Sequence, residues 1–355
     1  MRTLWILVLC FPWNLFAQET VFTYFGEIEG DVREVSGVVF IQSMGFLVIG
    51  DSGNEPQINV VDYQGYLQGS ITLPTLVNRD WEEMQLDVDG RLYIGDIGNN
   101  FSDRDTMVIY RINNILPHYL EGIPLEMDSI RFTYSDQLPS MPFNETGNFD
   151  CEAFVVAKDE IHLYSKDHSG QNFAKHYVLP NETGAQLAML QDSMQLDAWV
   201  TGANLNWGAN LLHLCSNNSM TTFVNADLNQ PFTTYDFPTT QVEGVHQLGD
   251  GAFTFVEDVE GEGALSKMYS MRLASRDDDL ALFPNPANER IQLTANQSIL
   301  RFSVFDRLGK IVFEKEFETP VPDYILDVSN WAEGHYTAII EIEGAEIPEP
   351  FVVVH

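Results

Sequence analysis

The sequence predicts an all-β chain: a β-propeller of five blades, with six as the alternative count, followed by a small Ig-like β-sandwich. Three observations predict it. A short acidic motif recurs through the middle of the chain at a fixed spacing. Runs rich in β-branched and aromatic residues alternate there with Gly, Asn, Asp and Pro clusters, and no helix-period stretch of useful length interrupts them. From residue 281 the repeat stops and a different series of short strand patterns begins.

The repeat is carried by four segments: Glu34-Val-Ser-Gly-Val, Asp80-Trp-Glu-Glu-Met, Asp150-Cys-Glu-Ala-Phe and Gln241-Val-Glu-Gly-Val. Each leads into a second strand that ends in aspartate. Asp51 lies 15 residues after Ser36, Asp96 14 after Glu82, Asp167 15 after Glu152 and Asp258 15 after Glu243. A degenerate fifth copy runs from Thr201 to Ser216. Third strands are expected at 57–63, 106–112, 173–179, 222–228 and 267–273, and fourth strands at 69–73, 128–134, 185–190 and 233–237. The fifth unit has no fourth strand of its own, so 21–28 is expected to supply it and close the ring. Four antiparallel strands in each unit of roughly 45–70 residues is the pattern of a propeller blade.

The flanks divide the chain into residues 1–17, 18–276 and 281–355. Arg2, the apolar run 4–16 and Ala17 have the order of a signal peptide. That run is too short to span a bilayer as a helix, so an integral membrane protein is not expected. Residues 281–355 contain short strands separated by polar turns, as a small sandwich requires. Cys151 and Cys215 remain beyond the leader, and the sequence leaves their pairing open.

The net charge of −34 excludes non-specific binding to nucleic acid or anionic membrane and permits cation binding. Residues 18–280 carry −28 of it and residues 281–355 carry −7, so the acidity is not a tail. In a blade, the start of the first strand and the end of the second lie on one face of the disc. The repeat puts two sets of acids there: Glu34, Asp80, Glu82, Asp150, Glu152 and Glu243, then Asp51, Asp96, Asp167 and Asp258 beside Asn99 and Asn100. Converging carboxylates stay ionised only if a cation or donors compensate them. Calcium, a hard ion taking oxygen ligands, suits the first set. The second set is expected to cap turns or form a secondary site. His168 and His246 fall near the same face. No nucleophile elbow, P-loop, zinc-protease or dinucleotide motif is present.

Two resemblances extend this reading. Pro284-Asn285-Pro286-Ala287, Val304-Phe305-Asp306 to Gly309-Lys310, and Gly334-His335-Tyr336 closely resemble the type A sorting domain of the Bacteroidetes type IX secretion system. That family implies outer-membrane export through the type IX machinery, then release or anchoring at the surface. Asp80-Trp-Glu-Glu83, Tyr93 to Asn100, Arg111 and Asp150-Cys-Glu-Ala153 look like a family of secreted phytase-like or esterase-like propellers. That likeness implies a propeller and a hydrolase, and carries no nucleophile across. Its phytase branch uses calcium and basic residues on phosphates; with 12 bases in residues 18–280 this chain is poor in phosphate partners, which weighs against that branch. The expectation is therefore a monomeric surface or secreted protein whose propeller face binds an extracellular ligand through calcium. The alternative is a calcium-dependent hydrolase of phosphoesters, esters or lactones.

Overall fold

The computed structural model describes residues 20–355 except 31, 102, 138–148, 169–172, 197–198, 207–210, 225–227, 229–230, 240, 250–251, 260–263, 274–279, 307–309 and 343–344. The expected leader at 1–17, the join between the two folded regions and the turn at 307–309 lie outside these residues. The chain is all-β and propeller-like, with one short helix among the described residues. Val21–Arg272 forms one compact unit and Leu273–His355 falls in a second.

In the first unit, β2 (Val35–Ile41), β3 (Gly45–Gly50), β4 (Gln57–Val61) and β5 (Leu67–Thr72) make one antiparallel sheet. A second meander holds β6 (Trp81–Leu86), β7 (Leu92–Asp96), β8 (Met107–Ile112) and β9 (Met127–Tyr134). A third holds β10 (Asp150–Val156), β11 (Glu160–Lys166), β12 (Phe173–Pro180) and β13 (Gly184–Gln195). A fourth holds β14 (Val200–Asn206), β15 (Leu211–Ser216), β16 (Ser219–Val224) and β17 (Pro231–Asp236). The last sheet combines β18 (Val242–Gly249), β19 (Ala252–Glu257) and β20 (Lys267–Leu273) with β1 (Thr20–Glu27), so N-terminal chain completes it. The strands β2, β6, β10, β14 and β18 touch in that order, and β18 touches β2 again.

Apolar layers fill the space between neighbouring sheets. Val39, Leu47 and Ile49 of the first sheet pack with Trp81, Met84 and Ile94 of the second. Ala153 and Tyr164 of the third pack with Val200, Ala203 and Leu212 of the fourth.

Three details depart from the sequence reading, and one question that it left open is answered. The fourth unit's third strand is Ser219–Val224 rather than 222–228, because Ser216 pairs Ser219 across a two-residue turn at Asn217-Asn218. Helix α1 (Ile115–Glu121) has one buried residue, Ile115, and ends at Gly122 with φ 70°; seven residues are too few to show a helical period. The outer strands β9 and β13 pair in parallel, Ile130 opposite Gly184, which satisfies two edges that would otherwise be exposed. Cys151 and Cys215 are both free and buried.

The same bulge recurs in every innermost strand. Register shifts lie at Val35/Gly37, Trp81/Glu83, Cys151/Ala153, Val200/Gly202 and Val242/Gly244. The residues skipped by the ladder are Ser36, Glu82, Glu152, Thr201 and Glu243. The position after each is small in four units, because the inner strands approach closely. A Cβ on Gly37 would lie 2.8 Å from the Met84 nitrogen, and one on Gly244 2.9 Å from the Ser36 carbonyl oxygen.

The second unit contains β21 (Leu280–Phe283), β22 (Arg290–Asp306), β23 (Ile311–Asp327), β24 (Gly334–Ile342) and β25 (Ala345–Val353) in one hydrogen-bonded sheet. The sequence suggested six or seven short strands. The 17-residue β22 changes register between Thr294 and Ile299, so its two halves read separately as short strands. Leu293, Phe302, Val304, Ala338, Ile340 and Phe351 lead its core.

Candidate cation site at the acidic face

The bulges aim three glutamates along one edge of the first unit. A bulge re-aims a side chain that regular pleating would send to the opposite face. Glu82 and Glu152 are buried, and Glu243 is half-buried. Asp80 and Asp150 stand two residues before Glu82 and Glu152, and Asp51 enters from the end of β3. Carboxylate oxygens of Asp51, Asp80 and Glu82 lie within 4.8 Å of one another, and so do those of Glu82, Asp150 and Glu152. Glu82 belongs to both triads. A Cβ on Gly98 would stand 2.1 Å from Glu82 Oε1, so the glycine leaves room for this carboxylate.

The two triads differ in their compensation. Lys166 Nζ donates to Glu152 Oε1 at 2.9 Å. His168 Nε2 lies 2.6 Å from Asp150 Oδ2, and the Asn99 amide donates to Asp150 Oδ1 at 2.6 Å. Burial opposes ionisation of Asp150, but these two hydrogen bonds and Lys166 outweigh it and hold its pKa below the ordinary value. Burial also opposes the charge on Lys166, and Glu152 and Glu243 outweigh that and raise its pKa.

Glu82 has no such partner among the described residues. It is 5% exposed. Its burial, then the charges of Glu152, Asp51, Asp150 and Asp80, all push its pKa well above that of a free glutamate. Burial, then Asp51 and Asp150, push Asp80 up to about 7. Burial likewise raises Asp51, against a hydrogen bond donated by the Ser52 amide. Glu243 is pushed up to about 7, chiefly by burial and against the pull of Lys166.

The remaining candidates have other placements. Glu34 is exposed with φ 50°, and its carbonyl accepts the Asp51 amide at 2.9 Å. Asp96 binds Arg104 at 2.8 Å, and Arg104 also donates to the Gly98 carbonyl at 2.6 Å, which fixes the loop after β7. Asn99 reinforces that loop by accepting the Arg104 amide at 3.0 Å, while Asn100 is exposed. Asp167 accepts the Phe173 amide at 2.7 Å, a turn-capping contact. The Asp258 amide donates to the Gln241 carbonyl at 2.9 Å. Burial alone lowers the pKa of His246 to about 4.

Three residues at this site escaped the sequence reading. Lys166 faces Asp150 across the β10–β11 ladder, a cross-strand register that the repeat alignment contained. Trp199 is 40% exposed beside the site, with its ring 5.3 Å from Lys166 Nζ and 5.6 Å from the His168 ring. Glu83 occupies the position that is Gly37, Ala153, Gly202 or Gly244 elsewhere. It is fully buried and accepts the Ala203 amide of β14 at 2.9 Å, while Gln85 donates to the Ala203 carbonyl at 2.7 Å. This brace joins the second and fourth sheets across the ring.

Two calcium ligands on opposite sides of one ion are about 4.8 Å apart, twice a typical Ca–O distance. Both triads fall within that limit, and their donors are the hard oxygens that calcium prefers. The triad of Asp51, Asp80 and Glu82 fits the ion on reach, and Glu82, on which burial and acidic neighbours alone act, is its least compensated member.

Comparison with solved structures finds a luciferin-regenerating enzyme at 11% identity and TM-score 0.41, covering 72% of this chain and 95% of that one. A gluconolactonase-like protein matches at 11% identity and TM-score 0.41, covering 73% and 94%. The WD40 β-propeller domain of Doa1 matches at 11% identity and TM-score 0.34, covering 94% and 97%. These scores carry no information on chemistry. Comparison with curated proteins returns no match. No helix among the described residues is long and apolar enough to cross a membrane. The second unit is where a family is found: residues 281–354 match the secretion system C-terminal sorting domain and are a type IX sorting domain.

Proposed function

We propose that this chain is a five-bladed propeller delivered by the type IX system to the cell surface or medium, where its acidic face binds calcium and, through it, an extracellular ligand. The sorting domain supports export and engagement of the type IX machinery. The cyclic contact of the five innermost strands supports the blade count. The observation that carries the binding reading is Glu82: a buried carboxylate with four acidic neighbours and, among the described residues, no hydrogen bond or ion pair of its own. Folding an uncompensated charge costs stability, and a cation at the site removes that cost.

Asp51, Asp80 and Glu82 would hold the ion, and calcium there would supply an electrophilic anchor for ligand oxygens. Trp199, half-flanked by Lys166 and His168, offers an exposed aromatic surface beside them for the apolar face of the same ligand. The test is calorimetric titration of calcium into the chelator-stripped full chain. Saturable binding near one ion per chain is expected, and absence of heat together with an unchanged melting temperature contradicts the reading.

One observation favours a second reading, a calcium-dependent hydrolase of phosphoesters, esters or lactones. His168 is held by Asp150, a member of the second triad, and is partly exposed, the arrangement of an oriented general base. Calcium-stimulated hydrolysis of nitrophenyl phosphate, nitrophenyl acetate or a simple lactone, lost in His168→Asn, would select this reading over pure binding.

A further inference from the structure

The acidic face carries an exposed aromatic ring besides its carboxylates. Trp199 is the residue before β14, at the start of an innermost strand, and is 40% exposed. Two neighbours set its ring. Lys166 Nζ lies 5.3 Å from the ring centre, and the His168 ring lies 5.6 Å away at 49°. Both neighbours are anchored in turn, Lys166 to Glu152 at 2.9 Å and His168 to Asp150 at 2.6 Å. Glu152 and Asp150 form the second triad with Glu82, and Glu82 also belongs to the triad of Asp51 and Asp80. A path of successive contacts therefore runs from the Trp199 ring to the triad assigned to calcium.

The chemistry along that path narrows the ligand. An anion is disfavoured on charge. Calcium offsets two of the three charges of Asp51, Asp80 and Glu82, Lys166 and His168 are paired with Glu152 and Asp150, and Glu243 adds a further acid. An anion also brings no proton to ionised carboxylates, which only accept hydrogen bonds. A wholly apolar ligand is disfavoured on lining, because Trp199 is flanked by charged and polar groups rather than by an apolar pocket. What remains is a neutral molecule rich in hydroxyls with one saturated C–H face. Its hydroxyls donate to carboxylates. Calcium takes about six to eight oxygens, water among them, so three carboxylates leave it positions for neutral oxygens. The electron-rich face of an indole receives the weakly positive C–H edge of a saturated ring.

We propose that the ligand of this face is a neutral oligosaccharide, with one sugar stacked on Trp199 and a pair of hydroxyls from another bound to calcium at Asp51, Asp80 and Glu82. The proposal rests on the calcium reading and names its ligand class. The competing occupant is a basic peptide that would meet the carboxylates in place of the ion. Against it, Lys166 already brings an ammonium to the Trp199 ring.

The test is calorimetry on the full chain in two stages. Calcium is titrated first. Cellotriose, maltotriose, laminaritriose and mannotriose follow at saturating calcium, with trigalacturonate and tetralysine as charged probes. At least one neutral trisaccharide should bind about tenfold or more tighter than trigalacturonate, and chelator should release it. Trp199→Ala should weaken that sugar by about tenfold or more while calcium affinity stays within about twofold, and Trp199→Phe should keep most of the sugar binding. Calcium binding with no neutral trisaccharide bound, tighter binding of trigalacturonate or tetralysine, or unchanged sugar binding in Trp199→Ala overturns the proposal and leaves the calcium reading standing. Absence of calcium binding in the first stage overturns that reading, and the proposal with it.

Discussion

The same bulge occurs five times in the first unit, but the side chain it presents divides the blades into two kinds. In the first and fourth sheets the bulged residue is Ser36 or Thr201. Each hydroxyl donates at 2.7 Å to a backbone carbonyl of the next innermost strand, Ser36 to Trp81 and Thr201 to Val242. In the second, third and fifth sheets the residue is Glu82, Glu152 or Glu243. An ionised carboxylate cannot donate, so these three stand at the acidic face, where Lys166 and His168 offset part of the charge. The bulge is therefore a feature of the fold, and the side chain placed on it decides whether the position stitches two sheets or faces a cation. Between the glutamates the difference is compensation: Glu152 is paired, and Glu82 is not.

The largest test of that division is Glu152→Gln. It strands the half-buried Lys166 without its closest carboxylate and should cost about 3 kcal/mol of unfolding free energy by chemical denaturation. A loss below about 1 kcal/mol would place Glu152 with Glu82 as an uncompensated acid. Calcium comes next. At a hundredfold excess over its dissociation constant it should stabilise the chain by about 2.7 kcal/mol, read as a rise in melting temperature.

The pH dependence should separate the calcium-free and loaded protein. Asp80 and Glu243 have pKa values raised to about 7, so the folded chain holds protons that the unfolded chain has released. Their contribution is full below about pH 4, the ordinary carboxylate range, and is lost as pH rises through about 7. Melting of calcium-free protein should therefore fall from pH 5 to pH 8, and calcium affinity should rise over the same interval. A flat profile in both would remove the linkage.

Smaller effects probe the hydroxyl blades and the second unit. Thr201→Val deletes one inter-sheet hydrogen bond and should cost about 1 kcal/mol without changing calcium binding. Arg301→Ala removes an exposed pair with Glu341 in the sorting domain and should shift stability by less than about 0.5 kcal/mol.

Much of this was readable from spacing. The intervals from Ser36 to Asp51 and from Glu152 to Asp167 are set by a bulged hairpin repeated in the chain, so the strands, and the supply of the last one by residues 21–28, followed from the pattern. Asp80, Glu82, Asp150 and Glu152 come together as their alignment suggested. Asp51, read with the turn aspartates, joins Asp80 and Glu82 instead, because it leaves β3 toward them. Glu34 lies outside both triads, exposed and with positive φ, and only its charge reaches Asp51. Glu83 was invisible because the alignment treats its position as a spacer; only the close approach of the inner strands shows that four units need a small residue there. The helix α1 and the parallel β9–β13 pairing have no periodic signature in the sequence.

The central claim is that Glu82 is an acid held without compensation for a cation. Its most direct test compares thermal unfolding of the wild type and Glu82→Gln at pH 8, each stripped with chelator and then saturated with calcium. The account predicts that the variant melts above the wild type without calcium and gains little when calcium is added, while the wild type gains strongly. A variant that melts lower without calcium and gains as much as the wild type would contradict it.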